Sequence, residues 1–563
     1  MIFASSVFIF FFLPIILLFY YNPLVRQGRP VKWPYILLFP ILLHLYRDSG
    51  NLFFFMTTGG CIFLVVLATE FCGKDSKIIR FFQMSSRTYR NLVLLTFSLF
   101  FYAWGEPLYV LLLILSLAMN YGFGLLAGCY SRTLAGRWVV AMAVLCNVVV
   151  FFVFKYMDFV FQNCNYWFRL DLPLAHFALP IGISFYTFQA LSYVIDVYRG
   201  GDAELLYARA KMPRGDGNAC PDLSVKAEKN PLNVALYIAL FPQLIAGPIV
   251  RYTTVAKELT SRIENKNDFA SGLVRFSIGL GKKMILANPC AFIADMAFSA
   301  GPDAFSVLLA WMGAIAYTLQ IYFDFSGYSD MAIGLGRMFG FHFPENFNFP
   351  YIARSITDFW RRWHISLSTW FRDYVYFPLG GSRVNSNLRL VFNLFVVWLL
   401  TGIWHGANWT FVLWGFFYFV LLSIEKLTGF DKKKSRWGFL YTMPCVIVAW
   451  VFFRSESISS AWLYVKTMFG FGNMPLKTDY AVFQLLEYLP FFVLATICAL
   501  PVIPFLRERF LRPADPEVLP CQWRTAGEYV RGGGYFICIS LIFFLAVSYV
   551  VKSTNNPFIY FNF

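Results

Sequence analysis

Long apolar runs separated by short polar loops make up most of the chain. Each run approaches the roughly 20 mainly apolar residues that a helix needs to cross a bilayer. The pattern therefore predicts an all-α polytopic integral membrane protein with about 11 to 15 spans, since several runs are short or broken by proline or glycine. The candidate runs lie near residues 4–21, 33–46, 52–71, 92–128 (two helices), 137–154, 174–195, 232–250, 270–300, 305–323, 389–403, 407–424, 437–453, 487–505 and 534–551.

The composition supports a single membrane domain over residues 1–563. The 563 residues are 58% hydrophobic and 14% charged, whereas soluble domains have roughly 25% charged residues. The net charge of +16 comes from basic clusters in short loops, as the positive-inside rule describes. It indicates contact with membrane lipids and gives no reason to expect nucleic acid. The 11 cysteines show no metal-ligand spacing, so no metal site is expected.

Residues 354–383 differ from the other loops because aromatic side chains alternate there with arginines. Their tryptophans and one leucine recur at helical spacing, which predicts one helical face. We interpret the segment as an interfacial amphipathic helix or a re-entrant element, on the cytoplasmic side by its arginines. The residues of the face are Trp360, Trp363, Leu367 and Trp370, and the arginines mixed with it are Arg361, Arg362 and Arg372.

His405 lies between two apolar runs, so its ring is expected at bilayer depth. Ionisable groups are costly there and mark functional sites by default. The alternative is a buried histidine that hydrogen-bonds a neighbouring helix. Gly402 and Gly406 form a GxxxG spacing around it, which allows close approach of two helix backbones.

Two further polar groups precede His405: His364, and the polar run 320–330 that contains Asp324. Two histidines without an obvious side-chain nucleophile indicate general-base chemistry, in which a histidine takes the proton of a hydroxyl that attacks an acyl carbonyl. A water-poor site would protect a thioester donor from hydrolysis. Arg361 and Arg362 would attract coenzyme A phosphates or an acidic carrier protein; the alternative role is anchoring to lipid headgroups.

Several ordered motifs resemble those of the membrane-bound O-acyltransferase (MBOAT) superfamily, and more narrowly its bacterial alginate O-acetyltransferase branch. The similarity covers roughly residues 82–425, the first span and the extreme C-terminus. The motifs are residues 241–252 (FPQLIAGPIVRY), 324–332 (DFSGYSDMA), 359–368 (FWRRWHISLS), 377–381 (FPLGG) and 401–406 (TGIWHG).

The resemblance implies an MBOAT-type helical bundle with a central tunnel and re-entrant or interfacial helices. It implies that His405 is the active-site histidine deep in the tunnel and that His364 lies nearer the cytoplasmic mouth. The chain departs from the family pattern by an extra pair of short apolar segments in residues 30–80 and a lengthened loop at 201–225. C-terminal spans follow the core in residues 437–563.

The resemblance also draws attention to Tyr560, in an aromatic C-terminus similar to those of related envelope acylation systems. Tyr560 could act as an acyl relay, because a phenol leaves more readily than a sugar alkoxide. The alternative is an aromatic residue of the membrane interface.

Together these features lead us to expect a membrane O-acetyltransferase with cytoplasmic acetyl-CoA as its donor substrate and no bound cofactor. We expect His405 as general base, His364 as donor-side base or orienter, and Asp324 as a polar orienter. The acceptor would be an exported polysaccharide, such as alginate or another exopolysaccharide, or peptidoglycan. We expect a periplasmic or extracellular partner acyltransferase of the serine-hydrolase type. The expected location is the cell membrane, the inner one in a Gram-negative cell.

Two other functions fit the same polar residues. One is transfer of D-alanine from a carrier protein to teichoic acid. The other is a transporter or flippase whose histidines relay protons. Inverted repeats with paired broken helices are common in transporters, and no such internal symmetry is visible in the sequence.

Overall fold

The computed structural model describes residues 1–22, 31–32, 83–200, 225–301, 303–432, 435, 437–471, 474–502, 504–505 and 526–552. Within these ranges the protein is helical except for loops and one short antiparallel pairing of Val31–Lys32 (β1) with Gln83–Met84 (β2). Seven helices in the described ranges are long and apolar enough to cross a membrane, which confirms a polytopic all-α protein. They are α3 (Tyr109–Cys129), α4 (Leu134–Lys155), α12 (Val307–Met338), α15 (Asn387–His405), α16 (Trp409–Thr428), α19 (Asp479–Ala499) and the Gly533–Lys552 part of α20 (Ala526–Lys552).

The other helices are shorter or carry more charge. They are α1 (Phe8–Tyr20), α2 (Ser86–Gly105), α5 (Met157–Phe168), α6 (Ile183–Arg199), α7 (Pro231–Ala239), α8 (Phe241–Leu244), α9 (Tyr252–Ser261), α10 (Lys266–Gly281), α11 (Asn288–Phe298), α13 (Ile356–Arg362), α14 (Ile365–Phe371), α17 (Gly438–Arg454) and α18 (Ile458–Met468). The first five residues of α1, Phe8–Phe12, are π-helical, as are the segments Lys282–Ala287 and Arg372–Tyr376. Two 3₁₀ turns, Pro350–Ile352 and Phe430–Lys432, complete the set in the described ranges.

Helix α12 forms the centre of the described bundle and is buried along most of its length. The side chain of Ser306 caps its first turn, and α10 and α11 pack along it. The apolar run 305–323 predicts only the first part of this helix, which continues to Met338. Its buried carboxylate Asp324 lies 2.5 Å from the ammonium of Lys283, in the π-helical segment after α10. Charges at this depth persist when they are paired.

Helices α15 and α16 form an antiparallel pair, and His405 is the last residue of α15. The close approach expected around this histidine occurs at Gly402, whose partner is Gly415 in the facing helix. A Cβ atom added to Gly402 would lie 2.5 Å from the carbonyl oxygen of Phe411 and 3.3 Å from the Cα of Gly415. Only glycine lets the two backbones approach this closely.

Basic residues indicate how this pair is oriented in the membrane. Arg383 and Arg389 lie at the start of α15, and Lys426 and Lys432 lie at the end of α16. The positive-inside rule assigns that end of the pair to the cytoplasm. His405 therefore lies toward the opposite, exported side of the bundle.

The structure corrects the expectation of one continuous helical face in residues 354–383. Helices α13 and α14 are separate, because His364 between them adopts a left-handed backbone conformation with φ of 42°. The four apolar side chains of the predicted face are buried in the protein instead of covering a membrane interface. Trp363 packs on Trp450, with ring centroids 4.9 Å apart, and Trp370 stacks on Phe188 at 3.9 Å. Two short buried helices agree with the re-entrant interpretation of this segment and not with an interfacial helix, whose apolar face would lie on lipid.

A second correction concerns the apolar run 232–250, which is not a span. It forms α7, α8 and an extended stretch that reaches Arg251. Proline at the start of each helix is typical of short helical segments. The predicted extra apolar pair in residues 30–80 lies outside the described residues except for Val31–Lys32, and the lengthened loop 201–225 lies almost wholly outside them.

Candidate active site

His405 is the last residue of α15, and aromatic rings surround its imidazole. The ring centroids of Trp404, Trp414 and Phe453 lie 4.8, 4.9 and 5.1 Å from that of His405, all in edge-to-face arrangements. The side chain is buried. A base in such a setting is shielded from bulk water, which strengthens electrostatic interactions around it.

His364 is fully buried at the break between α13 and α14. Its Nδ1 lies 3.2 Å from Oδ1 of Asn346. The same oxygen accepts hydrogen bonds from the backbone N–H of Ser366 at 3.1 Å and from the Ser366 hydroxyl at 2.9 Å. The Nδ2 of Asn346 donates to the hydroxyl of Ser329 at 3.0 Å. These contacts fix the orientation of the Asn346 amide.

This network determines the tautomer of a neutral His364. A backbone N–H can only donate, so the Asn346 atom facing Ser366 is the oxygen, and an amide oxygen only accepts. Nδ1 of His364 must therefore carry the proton, which leaves the lone pair on Nε2. Nε2 is buried and has no hydrogen-bond partner among the described residues. His364 thus presents a basic nitrogen to the interior of the bundle.

The indole ring of Trp404 connects the two histidines. Its centroid lies 6.2 Å from the imidazole of His364 and 4.8 Å from that of His405. The ring of Phe185 packs beside the same residues. Its centroid lies 5.6 Å from that of Trp404 and 6.5 Å from that of His364. The structure therefore brings His364 and His405, which are 41 positions apart in the sequence (405 − 364), next to the same indole ring.

A carboxylate from another helix holds the start of α13. Oε1 of Glu425 accepts a hydrogen bond from the backbone N–H of Ile356 at 2.6 Å, and Oε2 accepts from the N–H of Thr357 at 2.9 Å. The first N–H groups of a helix lack partners within the helix, and a negative charge there is favourable. Glu425 thereby fixes the re-entrant segment that carries His364.

A small cavity of about 40 Å³ lies beside His405. Its polar lining comes from Lys155, Ser184, Trp404 and His405, and its remaining walls are mainly residues 179–183 and 245–246. The walls thus include part of the 241–252 motif. The indole Nε1 of Trp404 is buried and has no hydrogen-bond partner among the described residues. The cavity combines a base with groups that donate hydrogen bonds.

Two larger cavities lie beyond His405, on the side assigned as exported. The smaller, of about 370 Å³, is lined by Lys155, and the larger, of about 920 Å³, is lined by Phe453. Asn408 and Phe411 line both cavities. The rings of Phe411 and Phe453 lie 5.0 Å apart, and Phe453 contacts His405. This phenylalanine pair forms the wall between His405 and the larger outer cavity.

The other predicted site residues have separate positions. Asp324 pairs with Lys283, while its neighbour Phe325 packs edge-on against His364 at 4.5 Å. Arg361 is exposed, and Arg362 forms an ion pair with Asp358 at 3.0 Å. None of these three predicted residues lines the cavities beside His405. Tyr560 lies outside the described residues.

Sequence reasoning missed two polar residues of this region, Lys155 and Asn346. Lys155 is the charged end of an apolar run, which is a signal for a functional group within a membrane protein. Asn346 lies in a polar loop with nothing in the sequence to distinguish it from its neighbours. Within the described ranges, no group of three His, Cys, Asp or Glu side chains is placed to hold a metal ion.

Comparison with known proteins shows which family this sequence resembles. The model of the MBOAT, membrane-bound O-acyltransferase family matches residues 226–459. The chain is 38% identical over 498 residues to a probable alginate O-acetylase AlgI of Pseudomonas putida, covering 86% of this chain and 96% of that protein. It is 37% identical over 393 residues to a peptidoglycan O-acetyltransferase of Helicobacter pylori, covering 67% and 73%. A teichoic acid D-alanyltransferase of Bacillus subtilis is 34% identical over 223 residues, covering 37% and 55%.

Proposed function

The chain belongs to the membrane-bound O-acyltransferase family, and we propose that it transfers an acetyl group from cytoplasmic acetyl-CoA to a hydroxyl group on the exported side of the membrane. It is a multi-pass membrane acyltransferase. The final acceptor in this proposal is an exported polysaccharide, such as alginate or another exopolysaccharide, or peptidoglycan. The observation that carries the proposal is the indole ring of Trp404, which contacts both His364 and His405.

The comparisons favour acetyl over D-alanyl as the transferred group. The relatives named for O-acetylation match over two thirds or more of this chain, whereas the D-alanyltransferase matches over 37% of it. Transfer of D-alanine from a carrier-protein thioester nevertheless involves attack on the same kind of carbonyl group as transfer from acetyl-CoA. It is therefore the alternative that a donor comparison should exclude.

In the proposed reaction, His405 acts as the general base. Its imidazole takes the proton of an acceptor hydroxyl while the hydroxyl oxygen attacks the thioester carbonyl. The tetrahedral intermediate then collapses, so that the carbon–sulfur bond breaks and the new carbon–oxygen ester bond remains. The coenzyme A thiolate leaves and receives the proton from the imidazolium, which returns His405 to its neutral form.

The positions of the two histidines support separate roles, with His405 on the acceptor side and His364 on the donor side. The phenylalanine pair separates His405 from the larger outer cavity, so an acceptor from the exported side would reach the imidazole by displacing these two rings. His364 belongs to a re-entrant segment with arginines on either side, which the positive-inside rule assigns to the cytoplasm. We assign His364 as the donor-side base or orienter, acting through its Nε2.

The proposal includes three further roles on the donor side. Arg361 and Arg362 would contact the phosphates of the donor; the exposed Arg361 is available for this, whereas Arg362 is partly occupied by Asp358. Asp324 would orient the site indirectly, since its own partner is Lys283 and its neighbour Phe325 packs on His364.

On the exported side, a periplasmic or extracellular partner of the serine-hydrolase type would receive the acetyl group and pass it to the polymer. Tyr560 would serve as an intermediate acyl carrier if the C-terminus reaches the tunnel. We place the protein in the cell membrane, the inner one of a Gram-negative cell.

The test measures acetyl transfer from radiolabelled acetyl-CoA in proteoliposomes. The variants are His405→Gln, which removes the base, and His342→Gln, which removes an exposed imidazole outside the cavities. We expect label on the protein or on an added hydroxyl acceptor with wild type and His342→Gln, and a loss of at least about 100-fold with His405→Gln, as for a general base. Equal transfer by His405→Gln and wild type would refute the proposed mechanism.

The same preparation compares donors. A D-alanyl carrier-protein thioester replaces acetyl-CoA in a parallel reaction. Transfer from that donor but not from acetyl-CoA would establish the teichoic acid alternative.

A further inference from the structure

Lys155 is the last residue of α4, and its ammonium is surrounded by three hydrogen-bond acceptors. Nζ donates to the carbonyl oxygen of Trp404 at 2.8 Å, to that of His405 at 3.4 Å, and to the hydroxyl of Ser184 at 3.3 Å. An ammonium has three N–H groups. The three acceptors therefore match its donors one for one.

These contacts cap the helix that ends at His405. The last carbonyl groups of a helix lack partners within it, and a buried helix end needs donors from elsewhere. The next residue adds a second donor: the hydroxyl of Tyr156 donates to the carbonyl oxygen of Ile403 at 2.6 Å. The junction of α4 and α5 thus binds the last three carbonyl oxygens of α15, those of Ile403, Trp404 and His405.

Among the described residues, the partners of the Lys155 ammonium are carbonyl and hydroxyl oxygens and not carboxylates. In the described part of the chain, no Asp or Glu oxygen lies within ion-pair distance of it. The negative end of the α15 dipole, at the carbonyls of Trp404 and His405, is its electrostatic partner. Lys155 also lines both the cavity beside His405 and the smaller outer cavity, of about 370 Å³. Its positive charge therefore faces the space where an acyl-transfer reaction would develop negative charge.

We propose that Lys155 is the positioning residue of the site: it fixes the end of α15, and thereby the imidazole of His405, and keeps a positive charge beside the reacting group. The part of this proposal that concerns catalysis rests on the proposed function. The part that concerns the helix end does not, because it follows from the hydrogen bonds alone.

The experiment compares Lys155→Met, Lys155→Arg and Tyr156→Phe with wild type in the full-length protein. Methionine keeps the length of the side chain but removes the charge and all three donors. Arginine keeps the charge and donors. Phenylalanine at position 156 removes one cap from α15 without changing any charge. Lys466→Met, in an exposed position on α18, is the matched control for loss of a lysine.

The first measurement is steady-state acetyl transfer. We expect Lys155→Met to lower kcat by about 100-fold, the scale of a misplaced catalytic group, with KM for acetyl-CoA within about threefold of wild type. The kcat of Lys155→Arg should be about tenfold higher than that of Lys155→Met, because arginine restores the charge. Tyr156→Phe should lower kcat by less than Lys155→Met does, and Lys466→Met should match wild type.

The second measurement is hydrogen–deuterium exchange of the peptide that covers residues 401–408, which does not depend on any donor. Lys155→Met should speed exchange there, because an uncapped helix end opens more often, while peptides of α12 should be unchanged. If wild type transfers no acetyl group, the proposed function fails and this exchange alone decides the role of Lys155.

Two results would overturn the proposal. One is exchange at residues 401–408 that is the same in Lys155→Met and wild type. The other is a rise in KM for acetyl-CoA with kcat unchanged, which would make Lys155 a donor contact instead of a positioning residue.

Discussion

Nδ1 of His364 lies 3.2 Å from Oδ1 of Asn346, and this hydrogen bond decides which nitrogen of the imidazole can act as a base. Asn346 also holds Ser366 in the first turn of α14, and the Ser366 hydroxyl accepts a hydrogen bond from the backbone N–H of Ile249 at 3.0 Å. Two of the motifs that carry the resemblance, 241–252 and 359–368, therefore meet at the hydrogen bonds around Asn346. Its geometry leads to the first prediction.

Asn346→Asp should impair the reaction without unfolding the protein. A carboxylate at this position still accepts from Nδ1 of His364 and from Ser366, but its charge favours the imidazolium form of His364. The lone pair on Nε2 would then be lost. We expect kcat to fall by about 10- to 100-fold, the range for loss of one acid–base group. The check is acetyl-transfer kinetics together with the thermal unfolding midpoint, and an unchanged kcat would contradict the assigned tautomer.

His364→Asn should abolish the donor-side function while preserving the backbone. Asparagine tolerates the left-handed conformation of position 364 better than most residues, so the break between α13 and α14 can persist. We expect transfer to fall by about 100-fold or more, as for removal of a base. The matched comparison is His364→Val, where a β-branched residue is strained at positive φ and the yield of folded protein should fall as well. Wild-type transfer by His364→Asn would exclude a chemical role for the ring.

Gly402→Ala should separate α15 from α16. The added methyl group would lie 2.5 Å from the carbonyl oxygen of Phe411, so the helices must move apart at the turn before His405. We expect a lower unfolding temperature and a loss of acetyl transfer. Gly122→Ala in α3 is the control, because an added methyl there meets no atom within 4 Å. Similar unfolding temperatures for the two variants would show that the close approach has no energetic importance.

Glu425→Gln should destabilise the re-entrant segment. The carboxylate accepts hydrogen bonds from two backbone N–H groups and from the Thr357 hydroxyl, at 2.7 Å for the last. Glutamine has only one acceptor oxygen, so at least one buried donor loses its partner, at a cost of about 1–3 kcal/mol. The measurement is equilibrium unfolding in detergent. Glu456→Gln, an exposed position, is the control and should be neutral.

The sequence predicts most of the described helices because apolar runs report membrane spans directly. Runs 137–154 and 389–403, for example, correspond to α4 and α15. His405 is identified from the sequence because an ionisable residue between two long apolar runs is unusual, and His364 is identified as a second histidine in the upstream segment of arginines and tryptophans. The resemblance supplied their roles, and these roles remain predictions.

The remaining features depend on contacts that no local pattern encodes. The spacing of Trp360, Trp363, Leu367 and Trp370 is the same whether the helix continues or breaks, so the left-handed conformation of His364 was not predictable. The bond between Lys155 and Trp404 joins residues 249 positions apart in the chain. Such pairs arise from packing of distant helices, and likewise Gly402 faces Gly415 of α16, whereas Gly406 lies against the ring of Phe411.

In the proposed function, His405 allows an acetyl group to cross from a cytoplasmic donor to an exported acceptor. The most direct measurement uses proteoliposomes of known orientation, with radiolabelled acetyl-CoA supplied only at the cytoplasmic face and a hydroxyl acceptor only at the opposite face. We predict labelled acceptor with wild type and none above background with His405→Gln. Labelled acceptor with both proteins, or with neither while the donor is intact, would contradict the claim.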